Sequence, residues 1–286
     1  MFVFVLVLVI VAGASADSPL ARSVCSNPPR GDDKIRKAFL EGHNKIRQEL
    51  ATGGIDDDMG TLPGSTSLFM LSYNCELEVP ALRASSACES ESNTPGVIEG
   101  KSVNYGIARG HNAAPSDDEA VVDIEKLLEK WKETRYNVNF DKTTVIYESE
   151  DAAPFARIVY NKSISLGCAV THCGPKRTAY ACAYSASPVF GKPLYWPSTK
   201  GAGCTKHTEC RKAIPGKDIT CDATLNLCFT SSLDINDIDS TAGNSLNVAE
   251  TKPDGPSGVL SRAMRQTVVD THEGDRSPLA QGTDRN

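Results

Sequence analysis

Ten cysteines follow an apolar N-terminal run in this 286-residue chain, and the two features together narrow the possible folds to disulfide-braced ones. Phe2 to Val11 is almost entirely Val, Leu, Ile and Phe, too short to span a membrane, and Ala14-Ser15-Ala16 supplies a small-residue cleavage pattern. Residues 1–16 therefore read as a signal peptide, and the remainder as secreted and extracellular with no transmembrane anchor. In an oxidising compartment Cys25, Cys75, Cys88, Cys168, Cys173, Cys182, Cys204, Cys210, Cys221 and Cys228 are expected to form five bridges, with connectivity open.

A formal charge of -6, with both signs mixed along the chain, lacks the concentrated positive surface a phosphate backbone requires, so nucleic acid is not an expected partner. Residues 231–286 contain no cysteine and are rich in Ser, Thr, Asp, Gly and Pro; they read as a disordered tail. Cys204, Cys210, Cys221 and Cys228 are closely spaced around Pro215-Gly216 and suggest a small satellite module with two internal bridges. His207 makes zinc the rival reading. The compartment and the lack of a close Cys-x-x-Cys pair favour bridges.

Ile35, Phe39, Ile46 and Leu50 mark one face of a helix over Asp32 to Leu50. Leu77, Ala81, Ala84 and Ala87 suggest a second helix, interrupted near Pro80. Ser116 followed by Asp117, Asp118 and Glu119 is a capping box, and Val121, Ile124, Leu128 and Trp131 continue as a helical stripe. Thr143 to Tyr147, Phe155 to Tyr160, Leu166 to Val170 and Ala179 to Tyr184 are short β-rich runs. Helices followed by clustered strands indicate an α+β layer structure.

His43 and Asn44 are polar on an amphipathic helix, where His43 has the chemistry of a general base; satisfying buried backbone groups is the favoured reading. Asp56-Asp57-Asp58 lacks the alternating ligands of a calcium loop and reads as a solvated turn. No Gly-x-Ser-x-Gly appears, and five histidines without helical or strand pairing offer little to a metal, so no catalytic residue and no cofactor is assigned. Asn161-Lys162-Ser163 is the one permitted N-glycosylation sequon.

Four stretches carry a resemblance: Phe39-Leu-Glu-Gly-His43-Asn44-Lys-Ile-Arg47, Leu71-Ser-Tyr-Asn-Cys75-Glu76-Leu77-Glu78, Leu166-Gly-Cys168-Ala-Val-Thr-His-Cys173 and Ala181-Cys182-Ala-Tyr184. With the Cys204 to Cys228 run, they resemble the CAP superfamily (SCP, or venom-allergen-like), in particular the nematode activation-associated secreted proteins. The resemblance implies an α-β-α sandwich with a three- or four-stranded antiparallel sheet over residues 25–198, a cysteine-rich extension at 199–230, and a bridge from Cys168 to Cys182. It also implies a cleft of two histidines and two glutamates, in some members a divalent-metal site. Here those positions fall on Ser92, Lys101, Glu133 and Pro154, and only Glu133 retains a ligand type, so no metal is expected. The function implied is a non-enzymatic effector that binds an extracellular or host protein, possibilities in immune modulation included. The alternative is a sterol or fatty-acid carrier, and a hydrolase is the remote third.

Overall fold

The computed structural model describes residues 33–199, 201–213 and 219–229. The leader at 1–16, Cys25 and the tail at 231–286 lie outside the described residues. Helix α1 (Asp33–Ala51) buries Ile35, Phe39, Leu40, Ile46 and Leu50 along with four polar residues, Arg36, His43, Asn44 and Arg47. A hairpin of β1 (Asp56–Asp57) and β2 (Gly60–Thr61) follows. Asp57 there is buried rather than solvated: it accepts from the N–H of Met59 at 2.8 Å and of Phe140 at 3.3 Å, and pairs with Lys142.

After β3 (Ser72–Tyr73) a single 3-10 turn leads into α2 (Glu78–Ser86). Pro80 does not interrupt this helix. It lies in the first turn, where a missing N–H costs nothing. Next come β4 (Val97–Ile98), β5 (Lys101–Arg109) and α3 (Asp117–Glu133), which opens on the capping box: Ser116 Oγ accepts from Glu119 N while Glu119 Oε2 accepts from Ser116 N. Trp131 is core, 3% exposed, its Nε1 donating to the Tyr105 carbonyl.

The expected strand at Phe155 to Tyr160 is instead α4 (Ala153–Val159). Phe155, Ile158 and Val159 recur at helical spacing and are fully buried, and Pro154 occupies the first turn, so packing overrides β propensity. Thr143 to Tyr147 forms no strand either; it makes one isolated bridge, Ile146 to Pro193, and Val145 takes a φ of 47°. β6 (Ser165–His172) and β7 (Arg177–Tyr184) complete the sheet.

The strand order is β3-β6-β7-β5-β4. The three long strands are antiparallel, but the two-residue β3 joins β6 in parallel, so the sheet is mixed with five members rather than purely antiparallel. α2 covers one face; α1, α3 and α4 cover the other, giving the α-β-α sandwich. Ala81, Ala84, Ala169, Ala181 and Ala183 let α2 lie close to the sheet. At Gly167 the approach is tightest: a Cβ there would meet Asn74 O at 2.5 Å and Glu78 N at 2.6 Å.

The C-terminal extension contains α5 (His207–Ala213), β8 (Thr220–Asp222) and β9 (Leu227–Phe229). It is bonded to the sandwich: Met70 N donates to Cys228 O, Cys228 N to Leu68 O and Gly203 N to Ala51 O. Leu227 enters the main core. Disulfides join Cys204 to Cys221 and Cys210 to Cys228 in the extension, and Cys88 to Cys173 and Cys168 to Cys182 in the sandwich. Cys75 is also disulfide-bonded, and no described cysteine is free.

Candidate functional site

A line of polar side chains runs from α1 to the start of α4. His43 is fully buried, and its Nδ1 lies 2.7 Å from the Phe39 carbonyl, which assigns the proton to Nδ1. Nε2 then accepts from the Tyr184 hydroxyl at 2.9 Å. The Tyr184 oxygen accepts from Asn104 Nδ2 at 2.9 Å, and the same amide donates to the Pro154 carbonyl at 2.9 Å. Asn104 Oδ1 accepts from Arg157 Nη1 at 3.3 Å, and that nitrogen also donates to the Val103 carbonyl at 3.1 Å. Arg157 Nη2 faces the Glu150 carboxylate at 3.9 Å, where the line reaches solvent.

The Phe39 carbonyl on one side and the Tyr184 hydroxyl on the other hold His43 as the neutral tautomer protonated at Nδ1. Burial pushes the His43 pKa down to about 4; the bond to Phe39 opposes this and the nearby Arg47 charge adds to it. Burial likewise raises the Tyr184 hydroxyl. A neutral, sealed imidazole whose two nitrogens are both engaged has no route to a substrate proton. Asn44 is equally committed, exchanging two amide bonds with the backbone of Leu71. Arg47, fully buried, donates to the carbonyls of Phe69, Ile158 and Tyr160, and desolvation lowers its pKa to about 9.

The four positions onto which the resemblance maps the cleft do not assemble a donor set. Ser92 lies in an exposed turn, bonded to Ser90 and Asn93. Lys101 shares a face of β5 with Val103, which packs under α2, whereas Ser102 and Asn104 face the α4 side. Glu133 is exposed and neither accepts from loop amides nor pairs with Lys101; its neighbour Thr134 receives the Phe155 N–H at 3.1 Å. Pro154 meets the line through its carbonyl alone. Arg157 brings a permanent cation to this place, and Gly96 lies so close that a Cβ would sit 2.4 Å from its Nη2. These residues do not fit a divalent metal, since a fixed guanidinium repels one and too few carboxylate or imidazole ligands converge. Cys204, Cys210 and Cys221 do come together, but all three are consumed by disulfides.

Asn161 does not present its amide at the surface. It is 4% exposed with Oδ1 buried and unpartnered, and Ser163 is fully buried, bonded to the Ala186 carbonyl. A glycan there would require the side chain to leave this packing.

Sequence reasoning missed Asn104, Arg157 and Tyr184 as members of the line. The alternation Val103, Tyr105, Ile107 was the available signal for β5, and it places Asn104 on the opposite face. A groove of about 760 Å³ lies between α1 and α3, lined by Ala38, Gly42, Ile46, Val121 and Leu128. Ion pairs Lys34–Asp118 and Lys132–Glu49 cross its two ends.

Three layers, a core of three long antiparallel strands and disulfides in both the sandwich and its extension define an SCP-type fold. Residues 40–184, about half of the chain, match the Cysteine-rich secretory protein family, CAP, and the chain belongs to that family. It is similar to the Ancylostoma secreted protein of Ancylostoma caninum, 29% identical over 99% of this chain and 60% of the relative. Hookworm platelet inhibitor 1 of the same species is 26% identical over 77% of this chain and 93% of its own. The crystal structure of Na-ASP-1 superposes with a TM-score of 0.61 at 25% identity, covering 73% of this chain and 49% of that one. The chain thus spans less than two thirds of the Ancylostoma secreted protein and of Na-ASP-1. No helix among the described residues is long and apolar enough to cross a membrane.

Proposed function

We propose that the protein is a secreted, non-enzymatic CAP effector that binds an extracellular or host protein, with residues 25–198 as the domain and 199–230 as its extension. The observation that carries this reading is the state of the polar line: His43, the one residue of the line with the chemistry of a general base near neutral pH, is fully buried with both ring nitrogens engaged in internal bonds. What remains to do work is surface. The similarity to a hookworm protein named as a platelet inhibitor supports a target on host cells. Family membership and the apolar leader at residues 2–11 support secretion.

The α1–α3 groove favours one second reading, carriage of a fatty acid or sterol against its apolar side chains. One experiment separates the two. Labelled protein, purified natively and then delipidated, is applied to host blood cells. Saturable binding that survives delipidation and is lost when the cells are treated with protease is the effector result. Stoichiometric lipid in the extract, with no saturable cell binding, overturns it in favour of carriage.

A further inference from the structure

Arg109, at the end of β5, stands directly opposite Arg177, at the start of β7. Opposed residues on antiparallel strands hold their Cβ atoms about 5 Å apart, and like charges there repel. Neither guanidinium has a carboxylate within ion-pair distance among the described residues. Arg109 is exposed and its side chain makes no hydrogen bond. Arg177 Nη2 donates to the carbonyls of Cys88 at 2.8 Å and Glu89 at 3.4 Å, while its Nε is buried without a partner.

The acids on this side do not neutralise the pair. The Glu91 carboxylate is bonded by Lys130 Nζ at 2.5 Å and the Ile107 N–H at 3.0 Å and feels the Arg109 charge only from beyond ion-pair distance, and the exposed Glu89 forms no ion pair with either arginine. Lys176, exposed in the preceding turn with a φ of 63°, adds a third cation. On a chain of net charge -6 this is a local excess of positive charge: Arg109, Arg177 and Lys176 stand beside Glu91, which Lys130 also holds, and no carboxylate among the described residues forms an ion pair with either arginine.

We propose that Arg109 and Arg177, flanked by Lys176, receive one tetrahedral oxyanion, the sulfate or phosphate ester group of an extracellular ligand. Planar guanidinium forks match the paired oxygens of such a group, and a shared anion converts the repulsion between them into two charge-assisted contacts. The site takes a single group and no extended polyanion, because the surrounding charges are mixed. It lies apart from the polar line, so it stands or falls independently of the effector reading.

The test is calorimetry on the full secreted chain with two probes, a sulfated glucosamine–uronate disaccharide and soluble inositol trisphosphate. One-to-one saturable binding is expected. Arg109→Gln should weaken it by about tenfold or more, the loss expected for a charge-assisted hydrogen-bond pair, and the exposed Arg109 side chain makes no bond on which folding depends. Arg109→Lys, which keeps the charge and removes the fork, should also weaken it. Lys45→Gln on α1 removes the same charge elsewhere and should change affinity by less than about twofold. Tighter binding of the disaccharide assigns the group to a sulfated sugar, and tighter binding of inositol trisphosphate assigns it to a lipid headgroup. Absence of saturable binding by both probes, or an equal loss in Arg109→Gln and Lys45→Gln, overturns the proposal.

Discussion

Lowering the pH from 7 to 5 sets the folded and unfolded states apart at His43. In the unfolded chain its pKa is the ordinary 6.5, and in the fold it is pushed down to about 4. Between these values the unfolded state binds the extra proton, so stability falls as the pH drops from near 7 toward 4 and is unaffected above that window. At pH 5 the unfolded imidazole is almost wholly protonated and the folded one about a tenth so, a difference of about 2 kcal/mol. The structural cause is specific: a proton on Nε2 would face the Tyr184 O–H, whose oxygen already accepts from Asn104. Urea unfolding of the wild type and His43→Gln at both pH values gives the contribution as a double difference, in which carboxylate titrations common to both proteins cancel. A double difference below about 0.5 kcal/mol would refute the assignment. If the variant does not fold, the wild-type imidazole can be titrated by NMR, and a value near 6.5 would refute it equally.

Gly167→Ala forces a Cβ into the backbone of the turn leading to α2, contacts of 2.5 to 2.6 Å that no rotamer relieves. A loss of more than about 3 kcal/mol is expected in thermal unfolding, and a loss under 1 would show that the turn yields. Glu78→Leu strands Arg36, which holds both Glu78 oxygens in the core and has its pKa raised by that carboxylate against the opposing effect of burial. Destabilisation of about 3–5 kcal/mol is expected, measured by denaturant midpoint; Arg36→Met with Glu78→Leu should recover most of it. Zinc calorimetry should give no submicromolar one-to-one event, and such an event, abolished by Glu133→Ala, would contradict the metal-free reading of the cleft.

How far the sequence disclosed this depended on the range of the contacts. α1 and α3 were legible because their apolar spacing and the Ser116 capping box are local signals. α4 was misread because Phe155, Ile158 and Val159 are β formers; their spacing of three and four residues, behind a first-turn proline, was the better guide. β5 was overlooked because its inner face is Ser102, Asn104 and Gly106, which look like loop residues until their burial is seen. The polar line was out of reach: His43 meets Tyr184 across 141 residues and Asn104 meets Tyr184 across 80. The inherited cleft positions could be mapped onto Ser92, Lys101, Glu133 and Pro154, but strand alternation, which decides that Lys101 and Asn104 face opposite layers, requires knowing where β5 runs.

The buried polar stripe of α1 holds the fold together without the side chains of Lys101, Glu133 and Pro154. Arg36 reaches Glu78 on α2, Asn44 the backbone at Leu71, Arg47 the carbonyls at both ends of Ile158 to Tyr160 and His43 the hydroxyl on β7. These bonds join α1 to α2, to the segment before β3, to the end of α4 and to β7, and an unmade bond in the core costs more than a made one contributes. The layers are therefore held in one arrangement by groups that never meet solvent. The line touches the cleft through Asn104 and Arg157, and only the last pair, Arg157 with a 73%-exposed Glu150, is open to water. Substitution at Pro154, Lys101 or Glu133 leaves these framework bonds intact, because the line uses only the Pro154 carbonyl and no side chain from the three. The framework bonds are thus separable from surface side chains such as Arg109, where the anion site is proposed, and substitution there should leave the layers in register.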